Sequence, residues 1–103
     1  MEEKVLKHVV LFSFEDEVDE KQLQVIMSSF QALETYIDCV NSIEWGLDNS
    51  PEGLSKGFTH CFIVTFDSEE NRDVYLKHPR HLSFVKLLDK RLKDVCVVDF
   101  WVN

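Results

Sequence analysis

The feature that most restricts the fold of this chain is a set of strands that are apolar on both faces. Residues 9–12 (Val-Val-Leu-Phe), 61–64 (Cys-Phe-Ile-Val) and 95–98 (Val-Cys-Val-Val) are apolar at successive positions. Neighbouring side chains of a strand point to opposite faces of a sheet, so each of these segments needs cover on both sides. The chain therefore has to form a sheet whose two faces are both buried.

The segments that favour strands and helices alternate in a simple order. The first helix begins after Asp19, with Gln22 in the capping-box position, and carries apolar side chains at three- and four-residue steps. A second helical segment begins near Glu69, is interrupted at Pro79, which has no N–H to donate, and resumes through Leu92. The predicted strands, rich in β-branched and aromatic residues, are 5–14, 40–45, 58–66 and 94 or 95 to 102.

The order β-α-β-β-α-β predicts a ferredoxin-like α+β fold in one domain, residues 4–102. Its four strands form one antiparallel sheet, and the two helical segments cover one face. The other face is then an apolar patch larger than a monomer normally exposes. We therefore expect a homodimer in which two sheets pack face to face as a dimeric α/β barrel.

Charge and composition exclude several classes of partner. The chain carries 11 Lys and Arg against 19 Asp and Glu, a net charge of −8, so it repels the phosphates of nucleic acids. No apolar run is long enough to span a bilayer, and residues 1–4 do not resemble the start of a signal peptide. We expect a cytoplasmic protein that binds neither nucleic acid nor membrane. Cys39, Cys61 and Cys96 share no C-x-x-C pattern and are interpreted as buried hydrophobes.

The residues that can carry chemistry are four histidines and a tyrosine. His8 and His60 lie in the first and third strands, which are antiparallel neighbours in this fold. A register that pairs His8 near His60 would place both imidazoles on one face, where Tyr75 and His81 could reach them from the helices. Imidazole titrates near neutral pH and a tyrosine hydroxyl can donate a proton, which together suit general acid–base catalysis.

Structural interpretations of the same residues remain open. A histidine in a strand is commonly a hydrogen-bonded core residue, His78 before Pro79 suits a cap or a turn, and a helical tyrosine packs in the core with a wet hydroxyl. Several imidazoles could also bind a divalent metal, but Pro79 separates His78 from His81 and no carboxylate stands beside them in a ligand pattern. The chain has no glycine-rich phosphate loop. We expect no metal and no other cofactor.

Several motifs together resemble the stress-responsive A/B barrel domain family. The resemblance covers essentially the whole chain, and its most specific motifs are Gly-Phe-Thr-His and His-Pro-Arg-His. The matching segments are residues 5–12, 44–46, 57–60, 66–70, 75–81 and 97–100.

The resemblance implies a barrel dimer with a small apolar pocket between sheet and helices in each subunit. In a plant polyketide cyclase of this family, which closes its substrate by an aldol condensation, the catalytic tyrosine and histidine align with Tyr75 and His81. Two pocket histidines of that enzyme align with His8 and His60. The full set of expected substrate-binding residues is His8, Met27, Phe30, His60, Phe62 and His78.

These observations leave three hypotheses of function. The first is a protein that binds a small, oxygenated, partly apolar molecule and acts as a cofactor-free cyclase or lyase, with His81 as general base and Tyr75 as acid. The second is a non-catalytic stress or assembly protein. The third is a cofactor-free monooxygenase of the wider dimeric barrel superfamily.

Overall fold

A computed structural model describes residues 4–102 of the chain. Residues 1–3 and 103 lie outside the described part. The prediction about a signal peptide concerned residues 1–4, so most of that segment is not described. Seven elements follow one another: β1 Leu6–Phe14, α1 Glu20–Tyr36, β2 Ser42–Leu47, β3 His60–Phe66, α2 Glu69–Lys77, α3 Pro79–Leu88 and β4 Leu92–Trp101. The strands form one antiparallel sheet in the order β2-β3-β1-β4. The predicted ferredoxin-like α+β fold is confirmed.

The helix boundaries follow from local capping. Asp19 Oδ1 accepts a hydrogen bond from the Gln22 backbone N–H at 2.8 Å, and the Gln22 side chain accepts one from the Asp19 N–H at 3.1 Å. This reciprocal pair is the predicted capping box and satisfies two donors of the first turn. The second helical segment breaks into α2 and α3 at His78, whose Nδ1 accepts from the Arg80 N–H at 3.0 Å. Pro79 opens α3, where a missing N–H costs nothing.

Leu92 is the clearest error in the predicted boundaries. Its spacing continues the apolar stripe of α3, but the helix ends at Leu88 and Lys90 adopts a left-handed φ of 67°. The chain therefore turns, and Leu92 pairs with Phe14 across an irregularity in the β1–β4 ladder. Helical spacing of apolar residues cannot reveal such a turn, because Leu92 would be apolar whether it continued the helix or began the strand.

The helix-facing side of the sheet holds the core. Phe62 of β3 is fully buried and stacks on Phe30 of α1, with ring centroids 4.0 Å apart and planes 3° apart. Phe12 of β1 packs against both of these rings. Alternate side chains of β1 and β3 therefore meet the helices, as the period of a strand requires.

The opposite side of the sheet is also apolar, as the sequence predicted. The register sets Val9 of β1 between Ile63 of β3 and Val98 of β4. Val98 is 55% exposed, and Phe100 on the same face is 48% exposed. The three cysteines are free and half-buried, so they are less buried than the sequence suggested. Among residues 4–102, no helix is both long and apolar enough to cross a membrane.

Candidate functional site

A cavity of about 590 Å³ lies between the helix-facing side of β1 and β4 and the helices α2 and α3. Most of its wall is apolar, and six of its polar side chains gather where β1 and β4 pass under α2. The principal apolar side chains are Val10, Phe12, Phe30, Phe84, Leu88 and Val97. The polar ones are His8, Arg72, Asp73, Tyr75, His81 and Asp99. An apolar enclosure with a few converging polar groups is typical of a small-molecule site.

His8 is held in one orientation by β4. The β1–β4 register places His8 directly opposite Asp99, and His8 Nδ1 lies 2.8 Å from Asp99 Oδ1. A carboxylate only accepts hydrogen bonds, so Nδ1 of His8 carries the hydrogen and donates it. The Nε2 lone pair of the neutral imidazole is therefore left as an acceptor or a base.

Asp99 is itself held by Arg72 of α2. Arg72 Nη1 donates to Asp99 Oδ2 at 3.0 Å, and Arg72 Nε donates to Asp73 Oδ1 at 3.1 Å. The hydrogen bond to Asp99 is the largest cause of a raised pKa for the Arg72 guanidinium, which stays charged. The result is a hydrogen-bonded chain from Arg72 through Asp99 to His8, with both Asp99 oxygens engaged.

Tyr75 of α2 turns its hydroxyl towards the cavity. Its ring is 1% exposed and lies 5.9 Å from the His8 ring and 4.6 Å from the His81 ring, between centroids. Within residues 4–102 the hydroxyl makes no hydrogen bond, yet no buried side-chain oxygen or nitrogen lacks a partner. The oxygen is therefore accessible from the cavity. Burial raises the pKa of Tyr75 well above its usual value, so the group remains a proton donor.

His81 of α3 presents the same nitrogen as His8. Its Nδ1 lies 3.0 Å from the carbonyl oxygen of Leu76, which only accepts, so Nδ1 carries the hydrogen and Nε2 is unprotonated in the neutral ring. Burial lowers the pKa of His81, and the neighbouring His8 lowers it further, while the bond to Leu76 acts in the opposite direction. His81 is thus a neutral base at physiological pH.

His60 does not join this group, because the ladder does not adopt the register that would bring it near His8. His8 pairs with Val64, whereas His60 pairs with Phe12 at the other end of the ladder. Both imidazoles lie on the helix-facing side, but four residues separate them, or about 13 Å at the usual rise of a strand. The antiparallel register fixes this separation, because a slip would disturb the whole buried face.

The remaining expected residues lie in different parts of the molecule: a separate groove, the core, a helix cap and the cavity itself. Met27 and His60 line a separate, wide groove of about 650 Å³ that also includes Trp45. Phe62 is a core residue beneath the cavity wall, and His78 caps α3 through its ring nitrogen. Of the expected substrate-binding residues, His8 and Phe30 line the cavity together with Tyr75 and His81.

Asp99 and Arg72 were missed as site residues by the analysis of the sequence. Asp99 interrupts the apolar part of β4, residues 95–101, at a position with the same parity as Val95 and Val97, which line the cavity. A charge on the helix-facing side of a sheet is costly unless it is paired, and this was the available signal. Arg72 lies three residues before Tyr75 on α2, a spacing that places both on one helix face.

The arrangement is suited to moving protons. Two imidazoles line one largely apolar cavity, each with Nδ1 bound to the protein and Nε2 free of protein partners, and the Tyr75 ring lies 5.9 Å from one and 4.6 Å from the other, between centroids. One group can remove a proton from a ligand while another donates a hydrogen bond to the oxygen that gains charge. In the part of the chain that the structure describes, no three His, Cys, Asp or Glu side chains cluster closely enough to hold a metal ion.

Comparison with known sequences gives one consistent result. A family model described as the stress responsive A/B barrel domain matches residues 6–102. Stress-response A/B barrel domain-containing protein HS1 of Arabidopsis thaliana is 35% identical over 95 residues, which cover 92% of this chain and 87% of that protein. Olivetolic acid cyclase of Cannabis sativa is 32% identical over 95 residues, covering 92% of this chain and 94% of the cyclase.

Comparison with solved structures agrees. The Arabidopsis thaliana protein At3g17210 superposes with a TM-score of 0.88 at 35% identity, and the match covers 92% of each chain. A dimeric protein of unknown function and ferredoxin-like fold from Bacteroides fragilis superposes with a TM-score of 0.73 at 29% identity, covering 93% of this chain and 94% of the other. Both matches extend across the sheet and the helices that enclose the cavity.

Proposed function

Because this chain belongs to the stress-responsive A/B barrel domain family, we propose that its cavity binds a small, oxygenated, partly apolar molecule and catalyses proton transfer on it without a cofactor. One observation carries the proposal. Tyr75, His8 and His81 line one largely apolar cavity of about 590 Å³, and the Nδ1 atom of each imidazole is bound to the protein, which leaves its Nε2 for a ligand.

The three side chains take different roles in this proposal. His81, kept neutral by burial, removes a proton from a carbon next to a carbonyl group. Tyr75, whose pKa is raised, donates a hydrogen bond to the carbonyl oxygen as negative charge develops on it. His8 accepts a hydrogen bond from a hydroxyl of the ligand, and Asp99 fixes its ring so that the acceptor is correctly placed.

Such a site serves reactions that begin with an enolate, which include aldol-type cyclisation, dehydration and isomerisation. The relative named as a cyclase supports this class, because its similarity extends over 92% of this chain. The relative named as a stress-response protein leaves the non-catalytic alternative to be tested. That alternative predicts that His81 and Tyr75 can be replaced without any change in ligand response.

We further propose that the chain acts as a homodimer whose sheets pack face to face. The face away from the helices carries the half-exposed Val98 and Phe100, beside Val9 and Ile63. A monomer would leave this apolar surface in water, and the similar protein from Bacteroides fragilis is dimeric.

The binding part of the proposal is tested by thermal shift with a panel of small aromatic ketones and phenols. A ligand present at about 100 times its dissociation constant stabilises a fold by roughly 2.7 kcal/mol, which such an assay detects. We expect some compounds to stabilise the native protein, to lose this effect in His81→Ala and to keep it in His60→Ala, because His60 does not line the cavity. Equal shifts in both variants, or none in the native protein, would contradict the proposal.

A further inference from the structure

We infer that the cavity selects an uncharged ligand, with carbonyl or hydroxyl oxygens at its polar end and no carboxylate. This inference names the substrate class of the proposed function and rests on it. It follows from three features of the cavity: the balance of charge, the engagement of the charged groups with one another, and the pattern of donors and acceptors left for a ligand.

The charge balance of the cavity is unfavourable to an anion. Arg72 is the one Lys or Arg among the described residues that line it, and its guanidinium donates to both Asp73 and Asp99. The charged side chains other than the histidines thus set one positive charge against two negative charges. The net charge of −8 on the whole chain acts in the same direction at longer range.

The same contacts leave a cation no unengaged carboxylate oxygen of Asp99 inside the cavity. Asp99 Oδ1 accepts from His8 and Asp99 Oδ2 accepts from Arg72, so neither oxygen is left without a protein donor. Asp73 remains, but its side chain is 56% exposed and faces water at the rim. An ammonium group inside the apolar wall would lose its hydration without a charged partner in exchange, and such burial is costly.

Apart from the remaining N–H groups of Arg72, whose charge is set between two carboxylates, the groups left for a ligand are one donor and two acceptors. The Tyr75 hydroxyl donates, and the Nε2 atoms of His8 and His81 accept in the neutral rings. A carbonyl oxygen suits Tyr75 and a hydroxyl suits an imidazole lone pair, whereas a carboxylate offers only acceptors and meets two lone pairs. Protonation of His81 would relieve this conflict, but burial lowers its pKa and opposes that change.

A matched pair of probes tests the inference directly. 4-Phenylbutan-2-one and 3-phenylpropanoate have nearly the same size and shape, and differ in carrying a methyl ketone or a carboxylate. Each is titrated into the native protein near neutral pH while the ring resonances of His8, Tyr75 and His81 are followed by NMR. We expect the ketone to bind at least about tenfold more tightly, a difference of roughly 1.4 kcal/mol.

The possible outcomes distinguish a failure of this inference from a failure of the proposed function on which it rests. If both compounds shift those resonances and the carboxylate binds as tightly as the ketone, the inference is wrong and the proposed site stands. If neither compound shifts them, the cavity does not bind this class of molecule, and the proposed function fails together with the inference.

A pair of charge variants tests the physical cause. Asp73→Asn removes one negative charge at the rim of the cavity, and Glu52→Gln removes one from the exposed loop between β2 and β3. We expect Asp73→Asn to narrow the preference for the ketone several-fold and Glu52→Gln to leave it unchanged. An equal effect of the two variants would show that the charge of the whole chain, and not the cavity, discriminates against the carboxylate.

Discussion

The two imidazoles of the cavity present the same nitrogen to a ligand, although different elements support them. His8 donates from Nδ1 to a carboxylate on the neighbouring strand, and His81 donates from Nδ1 to a carbonyl at the end of the preceding helix. Either contact alone would fix one tautomer, and together they leave two lone pairs in one enclosure. The chemistry therefore depends on Asp99 and on the backbone at Leu76 as much as on the rings themselves.

The pH dependence of stability is the first prediction at this scale. Burial lowers the pKa of His81 below its ordinary value of 6.5. Unfolding restores the ordinary value, so the unfolded chain binds more protons and the free energy of unfolding falls as the pH drops from 6.5 towards the folded pKa. We expect His81→Gln to flatten this fall in denaturant titrations made at a series of pH values.

A second substitution, His60→Gln, extends that prediction. Burial also lowers the pKa of His60, with Glu20 acting in the opposite direction. The free energy of unfolding of the double variant His60→Gln/His81→Gln should therefore depend less on pH than that of His81→Gln alone. A pH dependence that is unchanged in His81→Gln would mean that this imidazole is not held neutral by the fold.

At the scale of elements, the sequence pattern predicted the type and order of the strands and helices, but not how residues on different strands are paired. The strands could be recognised because apolar residues at successive positions fit a doubly covered sheet, and α1 because Asp19 and Gln22 form a capping box. The separation of His8 from His60 was not predictable, since it depends on a ladder register that pairs Leu6 with Phe66. The link from Asp99 to His8 is another such long-range pairing.

The capping box supplies a prediction about α1. Asp19→Ala removes the acceptor for the Gln22 N–H and should lower the free energy of unfolding by about 1 kcal/mol, the usual cost of losing such a cap. Chemical denaturation measures the change. Glu17→Ala removes the same charge from the exposed turn just before the helix and should change stability much less. Equal losses in the two variants would mean that charge, and not capping, stabilises this helix end.

At the scale of the whole molecule, the sheet has one covered face and one open apolar face. Phe30 of α1 stacks on Phe62 of the covered face, Phe84 of α3 packs against Phe30, and both helix residues line the cavity. On the open face, Val98 and Phe100 remain about half exposed. In the proposed dimer a second sheet buries this face and leaves the cavity on the opposite side, so that each subunit keeps its own site.

Substitution on the open face tests the dimer. Ile63→Asp places a charge at the centre of that face, between Val9 and Glu44, and should convert the dimer to monomer at micromolar concentration. Light scattering coupled to gel filtration measures the mass. Val74→Asp places the same charge on the exposed side of α2 and should leave the dimer intact. A dimer that survives Ile63→Asp would contradict face-to-face packing.

Proton transfer in the cavity is measured most directly by deuterium exchange into a bound ketone. In D₂O, the hydrogens next to the carbonyl of 4-phenylbutan-2-one exchange through the enolate, and proton NMR follows their loss. We predict that the native protein accelerates this exchange by about a hundredfold or more, as general acid–base groups do, and that Tyr75→Phe and His81→Gln lose most of the acceleration. Exchange at the protein-free rate, while the ketone is seen to occupy the cavity, would contradict the account.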